Sequence, residues 1–238
     1  VYKRQVLARA ESTVSSLSSL LGGLVEKFAA RGYSLYLVGG SVRDALLGRL
    51  GNDLDFTTPA RPEVVKEILD EWAETVWDTG IDFGTVSAAY KGQQIEITTF
   101  RSDSYDGQSR NPEVVYGDTL EGDLVRRDFK ANAMAIELLA DASFKFHDPL
   151  HGLQDIADRV LDTPDKPEIS FHDDPLRMLR AARFASQLEF RVADRVVEAM
   201  RDMAGEIQRI TVERVQVELD KLICGTAPWD GIDLLVST

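Results

Sequence analysis

The stretch Leu35–Thr58, LYLVGGSVRDALLGRLGNDLDFTT, constrains the fold of this chain more than any other. Leu35–Val38 is a short apolar run that stops at Gly39–Gly40, the pattern of a buried strand ending in a turn. A helix is expected next: Ser41 is placed to cap it, Val42, Ala45, Leu46 and Leu47 give it an apolar face, and it ends near Gly48. The free N–H groups of a helix start attract phosphate, and a glycine such as Gly40 lets a ligand come close to the backbone. Arg43 falls in the first turn, where a cation opposes the helix dipole unless an anion binds there. Asp53-Leu54-Asp55-Phe56 follows. Residues two apart on a strand share a face, so Asp53 and Asp55 project together while Leu54 and Phe56 face a core.

Two adjacent carboxylates repel unless a cation lies between them. A few hard oxygen ligands suit Mg²⁺ held jointly with substrate phosphates. One segment thus offers a phosphate cradle and, just beyond it, a metal-binding pair, which is what nucleotidyl transfer needs. Taken singly, a glycine pair before a helix is common and an Asp-x-Asp is more often a solvated turn. In this order and spacing they resemble the signature of the class II tRNA nucleotidyltransferase and bacterial poly(A) polymerase family, within the polymerase-β-like nucleotidyltransferases.

Two further blocks carry the resemblance. Arg126-Arg127-Asp128-Phe129 with Asn132-Ala133 resembles the family's second motif; a guanidinium fits phosphate oxygens and a carboxylate can accept from ribose hydroxyls. Read alone, this corner is an Arg–Asp salt bridge at a helix terminus. Lys130-Ala131 departs from the family, which places a small hydroxyl residue and an aliphatic there. Asp173-Asp174-Pro175-Leu176-Arg177, continuing through Arg180, Arg183 and Phe184, resembles the third motif, with Asp173 standing for the usual Glu. Asp173 is the expected N-cap, with Pro175 in the first turn. Asp174, Arg177, Arg180 and Arg183 recur every third residue and form a continuous polar stripe on a helix. Thr211-Val212-Glu213-Arg214-Val215 with Glu218-Leu219 resembles a last motif.

Between these blocks lie less specific stretches. Val1–Arg31 reads as a helix with a stripe from Val6 to Phe28. Pro62–Trp72 reads as a helix; Glu74–Trp77, Thr85–Tyr90 and Gln93–Phe100 read as strands, the last two joined at Lys91-Gly92. Glu96 is either an exposed strand residue or a third carboxylate beside the metal pair. Arg101–Gly117 reads as a mobile loop. Phe144–Leu161 resembles the family's connector Asp-Pro-x-Gly-Gly-x-x-Asp, with His151 in place of the first glycine. His147-Asp148 and His172-Asp173 raise the rival idea of a metal phosphohydrolase, although both lie beside prolines and suit structural roles. Thr163–Pro167 looks like a short linker, and Val192–Ile207 and Val212–Cys224 like amphipathic helices, the second capped by Thr211 and stopped by Gly225. Another helix start is expected at Asp230–Thr238, and the family's usual continuation suggests that this is an N-terminal fragment.

Composition bounds the rest. The 238 residues, 44% hydrophobic and 28% charged, suit one large or two small globular domains. The lack of a long apolar run and of a signal-like N-terminus points to a cytoplasmic location. The single cysteine, Cys224, cannot form an internal disulfide and is expected in the core of its helix. A net charge of −13 argues against a general nucleic-acid binder, though arginines cluster locally.

The expected fold is α/β (mixed α+β): a nucleotidyltransferase head with a mixed sheet over residues 1–161, then a helical neck over 162–238. The resemblance covers Leu35 to Gly225. It implies Mg²⁺-dependent transfer from CTP and ATP to the 3′ end of tRNA, with polyadenylation or a silent RNA-binding scaffold as alternatives. It implies metal binding and catalysis by Asp53 and Asp55, and nucleotide binding by Gly40, Arg43, Arg127, Asp174, Arg177, Arg180 and Arg183.

Overall fold

The computed structural model describes residues 2–102 and 115–238. The chain divides into two compact units: Val1–Arg126 with Asn132–Pro149, and Arg127–Ala131 with Leu150–Thr238.

The first unit is built on a seven-stranded mixed sheet. In chain order it comprises α1 (Tyr2–Ala30), β1 (Leu35–Val38), α2 (Gly39–Leu46), β2 (Asp53–Thr58), α3 (Pro62–Asp70), β3 (Thr75–Trp77), β4 (Thr85–Tyr90), β5 (Gln93–Thr99), α4 (Leu120–Val125), β6 (Ala135–Leu138) and β7 (Phe144–His147). The strands lie in the order β3-β4-β5-β2-β1-β6-β7. The β2–β5 pair is parallel and the other neighbours are antiparallel. Lys91 and Gly92 both have positive φ, 47° and 77°, as a two-residue hairpin turn between twisted strands requires.

Alternation along the strands sorts the two faces. Leu54, Phe56, Ile95, Ile97, Val86 and Ala88 are buried on one face, which α3 helps to cover. Along α1, Val6, Val14, Leu21, Leu24 and Phe28 are buried, so the stripe read in the sequence is the packed face. Asp53, Asp55 and Glu96 are exposed on the other face.

β6 and β7 form a hairpin that the sequence did not reveal; β7 falls in the stretch read as a connector. Leu35–Val38 pairs with Leu138–Ala135 residue by residue, and this long-range pairing decides the conformation of a short Ala-Ile-Glu-Leu run. Only a 3₁₀ turn, Lys130–Asn132, precedes it. Residues 103–114, the middle of the Arg101–Gly117 loop, lie outside the described residues. At its base, Ser102 N–H donates to Val115 O (2.8 Å) and Gly117 N–H to Phe100 O (2.8 Å).

The second unit is largely helical: α5 (Gly152–Asp158), α6 (Pro167–Asp173), α7 (Leu176–Leu188), α8 (Asp194–Met203), α9 (Val212–Ile223) and α10 (Pro228–Ser237), with a short parallel pair of β8 (Val160–Leu161) and β9 (Arg191–Val192). His151 sits just before α5 at φ 60°, a left-handed conformation that suits the glycine the family has at this position. Helices α9 and α10 press onto α7 through glycines. A Cβ on Gly231 would lie 2.6 Å from Ala182 O, and one on Gly225 would overlap Ser186 Oγ.

Two sequence expectations are corrected here. Cys224 is exposed, because α9 ends at Ile223 and leaves it at the C-cap rather than on the packed stripe. Thr211 occupies the N-cap position of α9, but its side chain makes no capping bond. No helix among the described residues is long and apolar enough to cross a membrane.

Candidate functional site

In the first unit the candidate residues gather where β1 gives way to α2. Gly39, at φ 66°, takes the left-handed turn that lets the chain pass directly from strand to helix. The helix begins at Gly39 itself, so Ser41 lies inside it and does not cap it. Its hydroxyl instead accepts the Asp55 N–H (2.9 Å) and lies 3.5 Å from Asp53 O. Arg43 is buried, with a forked bond to Asp44 (2.9 and 3.1 Å) and a third bond from Nη1 to Asn132 Oδ1 (2.7 Å). Its charge is therefore met by an internal acid, where the sequence pointed to an external anion. A Cβ on Gly40 would stand 3.3 Å from Arg43 Nη2, so glycine at 40 leaves room for that guanidinium.

Asp53 and Asp55 are both exposed on the same face of β2, as the Asp-x-Asp spacing implied. Asp55 is paired in register with Glu96 of β5, which puts a third carboxylate on the adjacent strand. Among the described residues no three of His, Cys, Asp or Glu are grouped so as to hold a metal by themselves. His147 Nε2 is 3.3 Å from Glu137 Oε2 and packs edge-on against Tyr36, which gives it a structural partner.

In the second unit, Asp128, α7 and α9 share a charged network. Pro175, not Asp173, stands at the N-cap of α7, because α6 runs on through Asp173; Asp174 Oδ1, just before it, accepts the Leu176 N–H (3.1 Å). Asp174 Oδ2 takes a bond from Arg214 Nη2 (3.1 Å). Arg177 Nη1 donates to Ser170 Oγ (2.8 Å). Farther along, Arg180 Nε donates to Asp128 Oδ2 (2.8 Å), with Nη2 on the same oxygen, and Arg180 Nη1 lies 3.8 Å from Glu218. Arg183 Nε lies 2.8 Å from Glu218 Oε2 and over the Phe184 ring. Burial opposes the Arg180 charge, but Asp128 and Glu218 outweigh it and hold the guanidinium above its usual value. The stripe read from the sequence thus splits: Asp174 and Arg177 lie at its more open end, while Arg183 is buried and Arg180 is tied to Asp128. Arg127 is half-buried beside this network in sequence.

Arg214 and Glu218, which stand in the last motif, were given no role from the sequence, although their i,i+4 spacing puts them on one face of α9. Asp128 bonds to Arg180 of α7. Lys130 pairs with Asp162 (2.8 Å), which also takes a bond from Arg195 (2.7 Å). The family's small hydroxyl residue is thus replaced by a salt-bridged lysine.

The model described as "Poly A polymerase head domain" matches residues 35–162, more than half of the 238 residues. The chain belongs to the poly(A) polymerase head-domain family. A second model, described as the probable RNA and SrmB-binding site of polymerase A, matches residues 189–238. The CCA-adding enzyme of Listeria innocua is 41% identical over 214 residues, covering 90% of this chain and 52% of that protein. The crystal structure of the Bacillus stearothermophilus CCA-adding enzyme in complex with CTP superposes with a TM-score of 0.80 at 36% identity, over 93% of this chain and 52% of that one. A tRNA nucleotidyltransferase complexed with a primer tRNA and an incoming ATP analog gives 0.75 at 28% identity, over 89% and 59%. The chain spans about half the length of the curated relatives it matches.

Divalent-metal use is general to nucleotidyltransferases of this family. The donor set of this poly(A) polymerase head fits such an ion. Asp53 and Asp55 present two hard oxygen ligands on one exposed face, and no basic side chain bonds to Asp53 among the described residues.

Proposed function

We propose that this chain adds CMP and AMP, from CTP and ATP, to the 3′ end of tRNA without a nucleic-acid template. In each addition the terminal 3′-oxygen attacks the α-phosphorus; the new O–P bond forms, the α–β phosphoanhydride breaks, and pyrophosphate leaves. The observation that carries the reading is the pair of exposed carboxylates on β2, within a fold that superposes on a CTP-bound CCA-adding enzyme.

Asp53 and Asp55 would hold Mg²⁺, which when bound supplies charge stabilisation to the reacting oxygens. Asp174 and Arg177 would address the incoming base, with Arg180 and Arg183 supporting them or reaching the triphosphate. Arg127 and the backbone near Gly40 would face phosphates, and Arg43 would shape that turn from within. Glu96 stands beside Asp55 in register and is available as a third carboxylate. We assign the head function to residues 1–161 and the neck function to 162–238, in a cytoplasmic enzyme.

A second reading, polyadenylation, is favoured by the family description itself. Incubating the intact protein with tRNA lacking its CCA end, with CTP and ATP, and sequencing the product ends separates the two. The sequence CCA is expected; a run of A from ATP alone would make the chain a poly(A) polymerase. Asp53→Ala should lower transfer more than about a hundredfold, since even groups that only support metal ligands are worth 10- to 100-fold. Near-normal turnover by Asp53→Ala would remove the metal assignment. The salt-bridged Lys130 supports an active enzyme over a decayed scaffold, because the departure is accommodated in the packing.

A further inference from the structure

We propose that Ser41 is a positioning residue that fixes the geometry of the Asp53–Asp55 carboxylate pair. The inference rests on the reading of those two residues as metal ligands.

On β1, Tyr36 and Leu37 pair with Thr57 and Phe56 of β2. At Gly39 the chain turns into α2, so the β1 ladder ends before it reaches Asp55 and Asp53. On its other side β2 is paired along its whole length with β5, from Asp53 to Thr58. The two metal-facing residues therefore sit on a strand segment held by backbone on one side only. An unpaired N–H or C=O there would be free to tilt, and with it the peptide planes that set the spacing of the two carboxylates.

The Ser41 hydroxyl occupies the missing ladder position. It accepts from the Asp55 N–H at 2.9 Å and faces the Asp53 carbonyl at 3.5 Å. A hydroxyl has one proton to donate and two lone pairs to accept with, so one side chain can serve both groups. Ser41 is itself buried, at 4% exposure, and is carried on a helix whose next turn is anchored by the Arg43–Asp44–Asn132 cluster. Alanine at 41 keeps the helix and the packing volume but leaves the Asp55 N–H without its acceptor.

The test compares wild type, Ser41→Ala and Asp53→Ala in the intact protein. Mn²⁺ binding is read by electron paramagnetic resonance, exchange of the Asp55 amide by NMR, and CTP affinity with and without EDTA. For Ser41→Ala, Mn²⁺ binding weakens about five- to tenfold, the range expected for one lost hydrogen bond, and the Asp55 amide exchanges faster. Half-saturating Mg²⁺ rises in the transfer assay while kcat at saturating Mg²⁺ stays within about twofold. CTP affinity in EDTA is unchanged. Wild-type Mn²⁺ affinity in Ser41→Ala, or weaker affinity with unchanged Asp55 exchange, overturns the proposal. Loss of CTP binding in EDTA overturns it as well, by making Ser41 a nucleotide contact. If Asp53→Ala binds Mn²⁺ like wild type, the metal reading falls and this inference with it.

Discussion

Asp174 has both carboxylate oxygens engaged, one by the Leu176 N–H and one by Arg214, yet each oxygen keeps a lone pair. That leaves an oriented acceptor beside the guanidinium donors of Arg177. Cytosine and adenine both present an amine donor next to a ring-nitrogen acceptor; guanine and uracil present the reverse. An acceptor beside a donor therefore fits C and A and leaves polar groups unpaired with G and U. Asp174→Ala and Arg177→Ala are each expected to relax rejection of GTP and UTP by about a hundredfold or more. Single-nucleotide incorporation with the four triphosphates checks this. If both variants stay active and still reject GTP and UTP fully, the helix is structural. At this scale the sequence shows the residues proposed to meet substrate more readily than those that hold them. Asp53, Asp55 and Asp174 stand in short motifs with a chemical reason for their spacing. Ser41, Asn132, Arg214 and Glu218 bond to groups far away in the chain, so the motifs that contain them do not reveal their partners. One partner of Arg43, Asn132, was hidden for the same reason, because it comes from a distant turn.

Asp162 joins elements that are distant in the chain: it follows β8, takes Lys130 from the 3₁₀ turn, and takes Arg195 from α8. Burial pushes its pKa up, but the hydrogen bonds from Arg195 and Lys130 win and hold the carboxyl below its ordinary value. Because the folded value is the lower one, the stabilisation is complete above about pH 4, the unfolded range, and drains as pH falls through the folded value. Asp162→Asn should lower the urea midpoint at pH 7 by the equivalent of about 1 kcal/mol or less, since water reaches the group. The gap from wild type should close toward pH 3; a gap that stays constant would deny the charge a role. Gly231 tests packing between helices. Its Cβ would meet Ala182 O and Leu222 Cγ, at 2.6 and 2.9 Å, so Gly231→Ala should cost about 1–3 kcal/mol. Calorimetry showing no fall in Tm would mean that α10 shifts freely on α7. Elements with a strong period, such as α1, α7 and α9, were legible in the sequence. The β6–β7 hairpin was not, because four residues carry too little period and pairing with β1 decides them.

For the molecule as a whole, charge and topology matter more than any one contact. With a net charge of −13, the 238-residue chain is expected to bind CTP or ATP more tightly than tRNA at physiological salt. A tight tRNA Kd that does not move between about 50 and 200 mM salt would contradict this. The topology sets an order of assembly. The β4–β5 hairpin closes through the Lys91-Gly92 turn, and β6–β7 through a short loop, so both depend on neighbours in the chain. β2 must find β5 across α3, β3 and β4, and its parallel ladder joins Asp55 to Glu96. Such a non-local pairing waits on the closure of a long loop and forms slowly. A refolding chain should therefore acquire its hairpins first, and the β2–β5 ladder and the still longer-range β1–β6 ladder later. During synthesis or after heat stress, separate hairpins would precede the central pairing that sets Asp55 beside Glu96.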